Sequence, residues 1–107
     1  MTTFDQREQA FEAMFAHDEA IRFYAYARRN KLLGLWAAEK LGKTGDAADA
    51  YAKAVVLADF EEAGDEDVFR KLRRDFDRAG VSESDQTIRG KMAELLFVAA
   101  QQVKTEQ

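Results

Sequence analysis

Cysteine and proline are both absent from this 107-residue chain. Without cysteine there can be no disulfide scaffold, no thiolate metal site and no cysteine nucleophile. The absence also suits a reducing compartment. Without proline the commonest helix breaker and most rigid turns are missing. Histidine occurs once, as His17, between Ala16 and the acidic pair Asp18-Glu19. A metal site needs more ligands converging on one point, so this polar triplet reads as exposed helix surface. No apolar run approaches the roughly 18 residues of a membrane span. Nor does a basic segment followed by an apolar stretch open the chain as a secretory signal would. These absences lead us to expect a soluble, cytoplasmic protein. A net charge of -4 makes nucleic acid a poor default partner.

What is present suits one globular domain. Hydrophobic residues make up 47% of the chain and charged residues 34%, well away from the composition of disorder. No segment alternates with period two, whereas helical spacing recurs throughout. The fold class predicted is all-α: four helices with three short connections, the first helix much the longest.

That first helix is expected over residues 4–41. In its front third Phe4, Phe11 and Phe15 share a face with Ala10 and Met14, and polar residues surround them. Thr2 or Thr3 can cap it. The pattern loosens at His17-Asp18-Glu19 and then strengthens. Ile21, Tyr24, Ala25, Leu32, Leu35 and Trp36 form a stripe continued by Leu41, and Phe23, Tyr26 and Leu33 widen it. This back part is expected to be the most buried helix. Arg22, Arg28, Arg29 and Lys31 form a basic cluster in an acidic protein. Pairing with the acidic residues around 59–67 is the simpler explanation. Arg28, Arg29 and Lys31 as a nucleotide or anion contact is the sharper one.

Gly42-Lys43-Thr44-Gly45 resembles part of a phosphate-binding loop, but that loop needs glycine where Ala37 stands and a preceding strand. A helix stop at Gly42 and a new cap at Thr44 or Asp46 fit better. The second helix is expected over 46–63, with Ala47, Ala50, Tyr51, Ala54, Val55, Leu57, Ala58 and Phe60 on its apolar face. A third follows a cap at Asp65, with Val68, Phe69, Leu72, Phe76 and Ala79 at helical spacing. Gly80 ends it. The fourth starts from Ser82, or alternatively Ser84, and carries Ile88, Met92, Leu95, Leu96, Ala99 and Val103.

Signals for catalysis are weak. His17 has no nucleophile at a recognisable spacing, and no Glu-x-x-His pair builds a carboxylate-bridged metal centre. Asp65 and Asp67 lack the glycine and terminal glutamate of a calcium loop. The chain is not expected to be an enzyme, and no metal ligands are assigned.

Three blocks, FDQREQAFEAMFAHDEAIRF, ARRNKLLGLWAAEKLGKTGDAADAYA and VFRKLRRDFDRAGV, resemble the zeta subunit, the inhibitor of the F-type ATP synthase in alphaproteobacteria. The resemblance spans nearly the whole chain and is most distinctive in RRNKLLGLWAAEKLGKTG. It implies a four-helix bundle with a long first helix whose N-terminal part is mobile: residues 1–17 as the inhibitory segment, 18–107 as the globular domain. It implies that this segment blocks ATP hydrolysis by entering an alpha/beta catalytic interface and meeting the gamma shaft. Phe4, Arg7, Glu8, Phe11, Met14 and Phe15 are then its contact residues, at the i, i+3, i+4, i+7 spacing of a helix laid in a groove. The partners implied are the alpha, beta and gamma subunits of the ATP synthase head, so the protein would associate peripherally with the membrane-bound enzyme. No cofactor is implied beyond weak ATP or ADP binding, and the free protein is expected to be a monomer. The alternative function is a small helical adaptor or weak nucleotide-binding module.

Overall fold

A computed structural model of the protein describes residues 19–60 and 65–106. These form four α-helices and no strand: α1 (Glu19–Lys40), α2 (Gly45–Ala58), α3 (Glu66–Ala79) and α4 (Asp85–Glu106). The all-α, four-helix expectation holds. The front part of the expected first helix lies outside the described residues.

The helix ends follow from local chemistry. At the end of α1, Gly42 adopts φ 78°, and the Lys43 N–H donates to the Ala38 carbonyl at 2.8 Å. At the end of α3, Gly80 adopts φ 71°, and the Val81 N–H donates to the Phe76 carbonyl at 2.9 Å. Both are Schellman closures, which favour glycine at the left-handed position. The Gly42–Gly45 stretch is thus a turn between two helices. The fourth helix is capped by Ser84, the alternative cap, and not by Ser82. Its hydroxyl accepts the Thr87 N–H at 3.0 Å. The second helix stops at Ala58, short of the expected 63, and the chain turns at residues 59–60.

The helix α1 is the hub, packed on α2 along one side and on α4 along the other; α3 closes the bundle against α2 and α4. The main core draws on all four helices. Leu33 and Ala37 of α1 meet Val55 of α2, Val68, Leu72 and Phe76 of α3, and Ile88 of α4, all fully buried. Trp36 meets Phe76 edge to face, ring centroids 5.8 Å apart at 86°, an arrangement the ring quadrupoles favour. A smaller cluster of Ala25, Leu96 and Ala100 holds the first half of α1 to the last half of α4.

Two expected stripes are confirmed and two are corrected. In α3, Val68, Phe69, Leu72 and Phe76 are buried, while Ala79, expected at the end of that stripe, is exposed at the helix terminus. In α4, Ile88, Met92, Leu96, Ala99 and Val103 are buried and Leu95 is half-buried against the core. In α1 the buried residues are Ala25, Arg29, Asn30, Leu33, Gly34, Ala37 and Ala38. Phe23 and Tyr24 are instead 56% and 58% exposed. On the expected second helix Leu57 and Phe60 are each 66% exposed, Phe60 lying beyond the end of α2, and Ala47 and Ala50 are exposed as well. The reason is close packing of α1 on α2. A Cβ placed on Gly34 would stand 2.6 Å from the Ala52 Cα, so the seam uses small residues and turns larger ones outward.

Candidate partner-binding surface

The six residues assigned to the inhibitory segment, Phe4, Arg7, Glu8, Phe11, Met14 and Phe15, lie outside the described residues, as does His17. The structure does describe the helix that follows that segment in the sequence. From Glu19, the first half of α1 carries Phe23 and Tyr24, whose rings meet edge to face at 5.9 Å. Further along the same helix an open groove of about 530 Å³ is lined by Tyr24, Ala27, Arg28 and Lys31 of α1, Val56 of α2, and Val103 and Glu106 of α4. Its apolar lining comes from three helices, and its basic groups come from α1 alone.

The three cations of the candidate anion contact are not brought together. Arg28 lies in the groove and is bound by the Glu106 carboxylate, whose Oε1 accepts from Nη2 at 2.7 Å. That hydrogen bond raises the Arg28 pKa and holds the Glu106 carboxyl below its usual range. Lys31 is exposed in the same groove and has no ion pair among the described residues. Arg29 turns the other way and is 1% exposed. Its Nη2 donates to Asp65 Oδ1 at 2.6 Å, its Nε to Asn30 Oδ1 at 2.7 Å, and its Nη1 to the Met92 carbonyl at 3.3 Å. Its guanidinium also stands 5.2 Å from the Tyr26 ring centroid. Arg29 is therefore an internal brace joining α1, α4 and the start of α3, in keeping with the simpler expectation of pairing in the 59–67 region.

The helix start beside this brace is unconventional. Asp65 occupies the N-cap position of α3 but makes no side-chain cap hydrogen bond. Its backbone there is in the helical region, φ -101° and ψ -2°, not the extended one a capping side chain uses, and its Oδ1 accepts from Arg29. Beside it, Asn30 donates to Asp59 at the end of α2. Burial raises the Asp59 pKa, and the negative charges of Asp65 and Asp67 add to that, against the Asn30 hydrogen bond and Arg29. Sequence reading grouped Arg29 with its surface neighbours. The signal that separates it is the row Ala25, Arg29, Leu33, Ala37, one residue per turn along the buried face.

A second polar cleft, about 390 Å³, is lined by Leu41, Lys43, Tyr51, Lys71, Asp75, Arg78 and Ala79. Here the Tyr51 hydroxyl donates to Asp75 Oδ2 at 2.7 Å and Lys71 Nζ to the same oxygen at 3.0 Å. Burial, with the Asp75 hydrogen bond, pushes the Tyr51 pKa well up. Burial acts to raise the Asp75 pKa too, but the Tyr51 hydroxyl and Lys71 ammonium hold it below the usual carboxylate range. Lys43, from the Gly42–Gly45 turn, stands 6.0 Å from the Tyr51 ring centroid.

Among the described residues no three histidine, cysteine, aspartate or glutamate side chains form a group that could hold a metal ion. No described helix is long and apolar enough to cross a membrane.

Architecture and surface together define a small all-α, four-helix protein. The chain belongs to the ATPase inhibitor subunit zeta family, whose model matches residues 1–102. A protein of solved structure, described only as a solution NMR structure, is similar to 81% of this chain and 99% of its own, with 52% identity and a TM-score of 0.72. No curated protein matches.

Proposed function

We propose that this protein inhibits ATP hydrolysis by an F-type ATP synthase, and that residues 2–17 do the work by entering an alpha/beta catalytic interface against the gamma shaft. The observation that carries the reading is the extent of the family match. It begins at residue 1 and runs to 102, and so takes in the amphipathic segment together with the first three helices and most of the fourth. In that segment Phe4, Arg7, Glu8 and Phe11 have the spacing of a helix-in-groove ligand, with Met14 and Phe15 extending the apolar face.

The bundle supplies a rigid handle. Its core is shared by four helices and centred on α1, so the element leading directly from the segment is also the best anchored. A ligand segment tethered to such a body is held near its target, while the body itself is too bulky to follow into a catalytic interface.

The test is ATP hydrolysis by the purified native synthase, with and without the full chain and with a chain lacking residues 2–15. Hydrolysis should fall with the full chain and recover with the truncated one, while helical content of residues 19–106 persists. Full inhibition by the truncated chain would overturn the assignment of the segment. Absence of any inhibition by the full chain would overturn the function.

A further inference from the structure

Resting on that reading, we infer that the inhibitory segment has a second, internal docking place: residues 4–15 fold back onto the groove of α1, so that the synthase and the groove compete for one apolar stripe.

The groove needs an occupant of a particular kind. Its apolar lining is Tyr24, Ala27, Val56 and Val103, with Arg28 and Lys31 along it. Tyr24 and its neighbour Phe23 are more than half exposed, although both are large and belong to the hub helix. An occupant must therefore be apolar on one side and acidic beside it. Residues 4–15 meet both conditions. They carry Phe4, Phe11, Met14 and Phe15 on one side, and Asp5, Glu8 and Glu12 against a single Arg7.

Reach and register agree. Helix–helix connections commonly take about 2–8 residues, and residues 16–18 separate the stripe from Glu19. Fully extended, three residues span about 10 Å, which matches the usual separation of about 8–10 Å between packed helix axes. A reversal at residues 16–18 sets the segment antiparallel to α1. Phe11 then falls opposite Phe23 and Tyr24, Glu8 opposite Ala27 and Arg28, and Phe4 and Asp5 opposite Lys31. As a helix, twelve residues extend about 18 Å, enough to run from Phe23 past Lys31. Docking places Glu8 in competition with Glu106 for Arg28, and gives Lys31 an acidic neighbour.

The functional consequence is a regulated inhibitor. Phe11 cannot lie in the groove and in an alpha/beta interface together, so weakening the groove strengthens inhibition.

Because the chain has no cysteine, a single nitroxide can be attached to the full-length Gln9→Cys variant. Amide signals of Tyr24, Ala27, Lys31 and Val56 should lose at least half their intensity, while those of Leu72 and Phe76 in α3 keep theirs. In a mixture of nitroxide-bearing chains with isotope-labelled unmodified chains the loss should disappear. Lys31→Glu in the Gln9→Cys background should reduce the broadening several-fold, and Lys31→Glu alone should lower the concentration needed for half inhibition. Uniform or absent broadening overturns the docking, as does broadening that persists between chains or is indifferent to Lys31→Glu. Docking can fail while deletion of 2–15 still abolishes inhibition, which leaves the proposed function standing. Docking can also be seen while the truncated chain inhibits fully, which removes the functional reading and leaves the groove contact.

Discussion

Arg29, in the middle of α1, donates a 2.6 Å hydrogen bond from Nη2 to Oδ1 of Asp65, at the threshold of α3. The Arg29 side chain is 1% exposed and the Asp65 side chain 38%, so the pair is buried at one end only. Asp65→Asn would take away the carboxylate bonded to the buried cation, leaving it hydrogen-bonded to the Asn30 side chain and the Met92 carbonyl with Asp59 as the nearby acid. The expected loss of stability is about 1–3 kcal/mol, read by urea unfolding. Exposure at the Asp65 end keeps the loss below that of a fully buried pair. A double variant, Arg29→Met with Asp65→Asn, should lose less than the sum of its parts. Strict additivity would show that the two residues act independently.

The Gly34–Ala52 contact gives a packing prediction. Alanine is favoured over glycine inside a helix by up to about 1 kcal/mol. The added Cβ would lie 2.6 Å from backbone at Ala52, and backbone yields poorly. Overpacking of this kind costs about 1–3 kcal/mol. Gly34→Ala should therefore lower the melting temperature, and a raised one would mean that the seam is looser than described.

Asp59 predicts a pH effect of defined sign. Burial is the leading reason its pKa is raised. A group with a raised folded pKa contributes stability below its unfolded value, about 3.9 for aspartate, and loses that contribution as pH rises through the folded value. Asp59→Asn keeps a side chain able to accept from Asn30 and removes the buried charge. The melting temperature of this variant relative to the parent should therefore be higher at pH 7 than at pH 3.5. Asp75 has the opposite sign. Its lowered pKa contributes stability above the unfolded value and loses it as pH falls through the folded one. Asp75→Asn should flatten the acid limb of the stability curve below about pH 4. A parallel shift of the parent's curve in either variant would count against its assignment.

Phe11→Ala separates binding from folding. If Phe11 is a ligand anchor, the loss of an aromatic anchor costs at least about 2 kcal/mol of binding. The half-inhibitory concentration in the hydrolysis assay should then rise by roughly thirty-fold, with each 1.4 kcal/mol counting tenfold. The melting temperature should move far less than for a core substitution, because Phe11 gives up only a surface contact with the groove. A large fall in melting temperature instead would assign Phe11 to a core.

The sequence by itself determined the class, the stops of α1 and α3, and half of the core; it did not mark the end of α2 at Ala58. Gly42 and Gly80 end α1 and α3 because both take the left-handed conformation that other residues resist. The stripes of α3 and α4 were legible because each of these helices buries one continuous apolar face, Val68 to Phe76 and Ile88 to Val103. The sequence also carried the family resemblance through its long shared blocks. Tertiary structure alone decided which face of α1 is inside. That helix packs against two neighbours, so its buried surface is built from Ala25, Gly34, Ala37 and Ala38, with Arg29 and Asn30 among them. Periodicity counts large apolar residues and so selected Phe23 and Tyr24, which the bundle leaves exposed. It also grouped Arg29 with Arg28 and Lys31 by charge. Only the placement of Asp65 and Met92 beside α1 turns Arg29 inward and leaves the other two in a groove on the surface. Side-chain spacing sets which residues share a face, but close backbone approach and buried pairing set which face is covered.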